Sequence, residues 1–166
     1  MININSFRKF LNDDSGYLVP MSVGFLPIIL LFLAFSLDFG RAYLLKHQLQ
    51  GAADAAALAG TSQAEVHLVF DSNYVLLGTK PVINRDLADA EATSVFYQNI
   101  ALTNLVGQGV VIVNIVQNTL DDTHYYYGVT ADIPTYIAGP IMAMWGSDVD
   151  MKQLRVVRSA TAKVQE

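Results

Sequence analysis

Few side chains in this sequence are equipped to act on a substrate or to hold an ion, and those few are scattered. His47, His67 and His124 stand singly, with no second ligand at metal-binding spacing. They read as ordinary surface or interface histidines. The absence of cysteine removes disulfides, thiolate metal sites and a cysteine nucleophile. Asp121 and Asp122 would attract a cation, but the further oxygen ligands of a calcium loop are missing around them. They read as solvated acids of a turn. Gly107-Gln108-Gly109 lies between a helical and an extended segment, whereas a phosphate-binding loop needs the opposite order. Ser15, Ser22 and Ser36 have no identifiable base. No catalytic residue, cofactor site or metal site is expected.

The element that positions everything else is the stretch from Tyr17 to Leu37, 21 residues without a charge, bounded by Asp14 and Asp38. As a helix it spans roughly 30 Å, the thickness of a bilayer's hydrocarbon core. It is too long for the apolar region of a cleaved signal, and the helical pattern continues beyond it, so a retained anchor is expected. Arg8 and Lys9 before the span balance Arg41 and Lys46 after it. The short leader, 1–16, is placed in the cytoplasm because the folded portion follows the span. Pro27 removes a hydrogen bond inside the helix, and a kink or local unwinding is expected there.

In the run 47–60 nothing breaks the helix except Gly51, Gly60 offers a stop, and one helix from about Tyr17 to Ala59 is expected. Asp38 and Arg41, at i and i+3, are expected to pair at the membrane interface. Six alanines between 52 and 59 give the second half little apolar bulk. On the chain's own domain, Leu45, Leu49 and Leu58 would turn inward. The small face at Ala52, Ala53, Ala56, Ala57 and Gly60 lets a second backbone approach closely, and is expected to meet a helix of another subunit.

The remainder, 62–166, is large enough for one small head. After Arg41 the chain carries 7 Lys+Arg against 12 Asp+Glu, a balance that speaks against a nucleic-acid surface. Residues 64–79 have β-type content around an Asp71-Ser72-Asn73 turn and read as a strand or irregular hairpin. Asn84 caps a helix of about Arg85–Leu105. Val110–Gln117, His124–Ile133 and Leu154–Val164 read as three antiparallel strands, the last two with period-two alternation. In the second of these strands Tyr125, Tyr127, Val129, Ala131 and Ile133 share the core face. Arg158 interrupts the apolar set of the last strand and is placed near an edge. The apolar loop 134–146, which contains Trp145, reads as a core turn or as an exposed patch that meets a partner or the membrane surface. The expected fold is α+β: a long N-terminal helix followed by an antiparallel sheet with a helix on its face.

The run DFGRAYLLKHQLQGAADAAALAGT, 38–61, directly after an apolar span, resembles the membrane-proximal signature of the TadE/TadG-like proteins of tight-adherence (Tad, or Flp) pilus systems. The segments IPTYIAGPIMAMWG and RVVRSATAKV are similar to that family's ending. The resemblance implies a non-enzymatic, minor pilin-like component with a small pilin-like head, of the shorter TadE size. It implies a single pass through the bacterial inner membrane, with the head extracytoplasmic. Its implied partners are the lipid bilayer, other pilus subunits and a prepilin peptidase. Gly16 stands where such a peptidase cuts, leaving Tyr17 first, while Met21 occupies the place of the glutamate found in pilin-like members. The alternative is a stand-alone membrane-tethered binding module, which a deep pocket in the head would favour.

Overall fold

The computed structural model describes residues 18–137, 139–141 and 153–164, with side chains described from Val23 onward. The first element, α1 (Leu18–Thr61), is a single helix of 44 residues that runs through Pro27 without a break. At 1.5 Å per residue it is about 66 Å long. It ends where hydroxyls take over its last carbonyls: Thr61 Oγ1 donates to Leu58 O at 2.8 Å and Ser62 Oγ donates to Ala59 O at 2.6 Å. The expected start at Tyr17 lies outside the described residues.

The two halves of α1 differ in what surrounds them. From Val23 to Leu30 its side chains stand exposed around the whole circumference, Ile29 at 56% among them, and from Leu31 to Leu37 most remain exposed while Leu31, Ala34 and Phe35 are half-buried. From Leu45 onward a stripe is buried: Leu45, Leu49, Ala52, Ala53, Ala56, Ala57 and Gly60. Steps of three and four keep this stripe on one face.

After α1 the chain forms a hairpin, β1 (Ala64–Phe70) and β2 (Leu76–Ile83), turned over an Asp71 side chain that accepts from Asn73 N. The strand content expected in 64–79 is thus a hairpin, and it extends to Ile83. Helix α2 (Arg85–Leu102) is capped by Asn84, whose side chain accepts from Leu87 N. It stops three residues short of the expected end. Asn104 enters the left-handed region at φ 51° and starts the descent to the sheet. Strands β3 (Val111–Thr119), β4 (His124–Pro134) and β5 (Gln153–Lys163) form one antiparallel sheet in that order. A bulge between Ile112 and Asn114 shifts the β3–β4 register.

Register decides what the sheet presents. Tyr125 lies opposite Ala162, Tyr127 opposite Ala160, and Ile133 opposite Leu154. Their inward side chains meet α1 and α2, giving a two-layer α+β head whose core holds both helices' small residues and both tyrosine rings. The Phe96 and Tyr127 rings sit 5.2 Å apart. Arg158 shares the inward face of β5, half-buried at the sheet edge. Residues 45–61 of α1 are one wall of this core.

Tyr127 illustrates the tightness of that core. The residue has no exposed surface, and its hydroxyl has no hydrogen-bond partner among the described residues. Burial pushes its phenol well above the usual tyrosine range. Tyr127→Phe removes a desolvated hydroxyl and keeps the ring. It is expected to leave the melting temperature unchanged or raise it, with a gain of about 1 kcal/mol. A loss of that size in a thermal melt would show that the hydroxyl is satisfied after all.

Candidate functional site

The junction where α1 enters the head is the most strongly built polar feature at this end of the molecule. Asp38 follows directly on the apolar run and is 8% exposed. Its carboxylate accepts from Tyr136 N at 3.2 Å and from Ile137 N at 2.8 Å. One turn later Arg41 donates to Pro134 O at 3.2 Å and to Gln108 O at 2.5 Å. Its guanidinium lies 4.1 Å above the Tyr136 ring. Tyr136 in turn donates from its hydroxyl to Gln108 O. Gly109 allows this convergence: it has φ 82°, and a Cβ there would meet the Pro134 ring at 2.9 Å. Asp38 and Arg41, expected to pair with each other, thus direct these hydrogen bonds to peptide groups 67 to 99 residues further along the chain.

The small-residue face requires a correction. Ala52, Ala53, Ala56 and Ala57 are at most 2% exposed, and what covers them is the chain's own head. Gly60 lies under the Tyr125 ring, so close that a Cβ would fall 2.4 Å from Cδ1. The physical reason is complementarity of bulk: the large inward rings of β4 need a thin helix beneath them. No room is left on that face for another subunit's helix.

The opposite face of α1 has no such cover. Leu37, Leu44 and Leu58 are exposed, and a Cβ added at Gly40 or Gly51 would meet nothing within 4 Å. With Ala55 these positions follow helical spacing along one stripe. The signal for it was present in the sequence. Glycine inside a helix costs about 1 kcal/mol relative to alanine, and nothing in this chain's own head requires it at 40 or 51.

The remaining polar groups are engaged locally. Asp121 accepts from the backbone N–H groups of Thr123 and His124 and contacts the His124 ring, all of which hold its carboxyl below the usual range. Asp122 pairs with Lys80. His67 lies 4.0 Å from Glu65, and His47 packs edge-on against Tyr43. No group of three or more potential metal ligands occurs among the described residues. Shallow open clefts flank α1, one of about 340 Å³ lined by Tyr43, Lys46, His47, Gln50 and Arg158. Gly16 and Tyr17, the expected processing site, lie outside the described residues.

Among the described residues one helix is long and apolar enough to cross a membrane, with a mean hydropathy of 2.1 in its most apolar window. No curated protein and no solved structure matches the chain. The model of the Tad family, described as "Putative Flp pilus-assembly TadE/G-like", matches residues 16–64. That match runs from just before α1 to the first residue of β1 and so covers both the exposed apolar half and the alanine-rich half. Over this segment the chain is similar to the TadE/TadG-like proteins of the Tad pilus-assembly family.

Proposed function

We propose that the protein is a non-enzymatic, minor pilin-like component of a Tad/Flp-type pilus assembly or secretion system. Residues 17–37 anchor it in the bacterial inner membrane, with 1–16 in the cytoplasm and 62–166 as an extracytoplasmic head. Residues 38–61 continue the anchor into the head, and a prepilin peptidase acts after Gly16. Its partners are the bilayer and other subunits of the system. The observation that carries this reading is the continuity of α1. Its first half exposes apolar side chains on every side from Val23 to Leu30 and on most sides up to Leu37, as a helix in lipid does. Its second half is committed to the head on one face and keeps the stripe of Leu44, Gly51, Ala55 and Leu58 open on the other.

That outer stripe replaces the alanine face as the surface through which subunits pack. Gly51→Leu tests it, because the two expected effects have opposite signs. Leucine is the better helix former by about 0.5–1 kcal/mol, so the head should melt no lower than the native protein. Added bulk at a close helix–helix contact costs about 1–3 kcal/mol, so recovery with the other membrane components of the pilus system should fall about 5-fold or more. Native copurification of Gly51→Leu, together with that of Gly40→Leu, would remove helix packing from the proposed function.

A further inference from the structure

The exposed surface at the span-side end of the head differs from that at its distal end. We propose that this end, formed around Leu102, Val106 and Tyr136, is seated in the interfacial layer of the bilayer, with a phospholipid surface as its partner. The inference rests on reading α1 as a membrane span.

Position carries the first part of the argument. Asp38 is the next residue after the apolar run, and its carboxylate holds the peptide groups of Tyr136 and Ile137. Arg41 holds the carbonyls of Pro134 and Gln108 within the following turn. The lower loops are thus fastened within about 5 Å of the end of the span, measured along the helix. The polar layer of a bilayer is itself about 5–7 Å deep on each side. A head fastened at that height cannot clear it. Leu102 is 84% exposed and Val106 is 66% exposed; Val106 lies two residues from the Gln108 carbonyl that Arg41 holds. A single exposed leucine carries little meaning. Here the exposed residues lie beside loops fastened to α1 just past its charged boundary, and Tyr136 offers the amphipathic ring favoured at that depth.

Charge gives the second, independent part. Entering a phospholipid surface desolvates carboxylates and brings them against phosphates. At the span-side end, among the described residues, Asp132 is bound by Arg155 through contacts of 2.8 and 3.0 Å, and Asp38 is enclosed by its peptide partners. The distal end is different. Glu65, Asp71, Asp86, Asp89, Asp121 and Asp122 lie on the hairpin, the first turns of α2 and the β3–β4 turn. Among the described residues, the acids of the head other than Asp38 and Asp132 lie toward the end far from the span.

The absence of native cysteine allows one labelled position at a time. Val106→Cys, Leu102→Cys, the distal Val66→Cys and the span position Leu33→Cys are each labelled with an environment-sensitive nitrobenzoxadiazole. The full chain is then reconstituted into phosphatidylethanolamine–phosphatidylglycerol vesicles with and without a lipid spin-labelled near the glycerol. Strong quenching is expected at Leu33 and at Val106 and Leu102, at least twofold above that at Val66. If Leu33 is quenched while Val106 and Leu102 match Val66, the head stands clear of the bilayer and the proposal fails, with the span intact. If Leu33 is not quenched, the span reading itself fails, and the proposal with it.

Discussion

Replacing Ala53 by leucine is expected to destabilise the head by about 1–3 kcal/mol, and Ala56→Leu by a similar amount. Both alanines have no exposed surface, and both belong to the core cluster that includes Leu49, Phe96, Tyr125 and Tyr127. The three extra carbons of leucine have nowhere to go. Either the β4 rings leave their rotamers or α1 and α2 separate, and each response loses contacts elsewhere. Helix propensity does not offset this, since leucine is nearly as good a helix former as alanine. In a domain of about 100 residues each kcal/mol moves the midpoint of thermal unfolding by about 4–8 °C. The detergent-solubilised variants should therefore melt clearly below the native protein, while Gln48→Leu on the exposed side should not. A melting temperature unaffected by both core substitutions would mean that α1 does not wall this core.

Arg41→Ala is expected to cost about 2–4 kcal/mol, and Arg41→Lys more than half of that. The guanidinium does three things at one point: it donates to Pro134 O, donates to Gln108 O, and lies over the Tyr136 ring. Hydrogen bonds to a charged group contribute about 1.5–3 kcal/mol each, and truncation leaves two partly buried carbonyls without this donor. Lysine keeps the charge but cannot span both carbonyls with a planar fork or stack on the ring. Chemical denaturation of the purified chain measures the loss. A change below about 0.5 kcal/mol for Arg41→Ala would show that the junction is held without it.

The long helix was legible because two independent signals agree along it: an uncharged apolar run, then a run of the best helix former with only one glycine inside it. The three-stranded sheet was legible from period-two alternation, clearest in β4, where Tyr125, Tyr127 and Val129 alternate with His124, Tyr126, Gly128 and Thr130. The second strand of the hairpin was harder to see. Lys80 and Pro81 sit inside β2, and proline is tolerated there because both strands of a two-stranded sheet are edges. Periodicity gathered Ala52, Ala53, Ala56 and Ala57 onto one face, but it is silent on whether a helix face is covered by its own chain or by another. The deciding information lay some 70 residues away, in two tyrosine rings on β4 large enough to require a thin helix. Asp38 and Arg41 show the same limit of local spacing. Their i, i+3 spacing suggests a local ion pair, whereas their observed hydrogen bonds go to backbone groups that only the tertiary fold brings near.

Because α1 is both the apolar rod and a wall of the core, and Asp38 and Arg41 clamp the two together, no swivel separates anchor from head. The 24 residues from 38 to 61 act as a lever arm about 36 Å long. With 17–37 as the proposed span, a tilt of about 20°, the average for spans in bilayers, carries the far hairpin sideways by about 12 Å. The bearing of the head is therefore a reading of the angle of the span. A change in bilayer thickness, or a neighbouring helix that rights the span, would re-aim the distal surface with no change in the fold of the head.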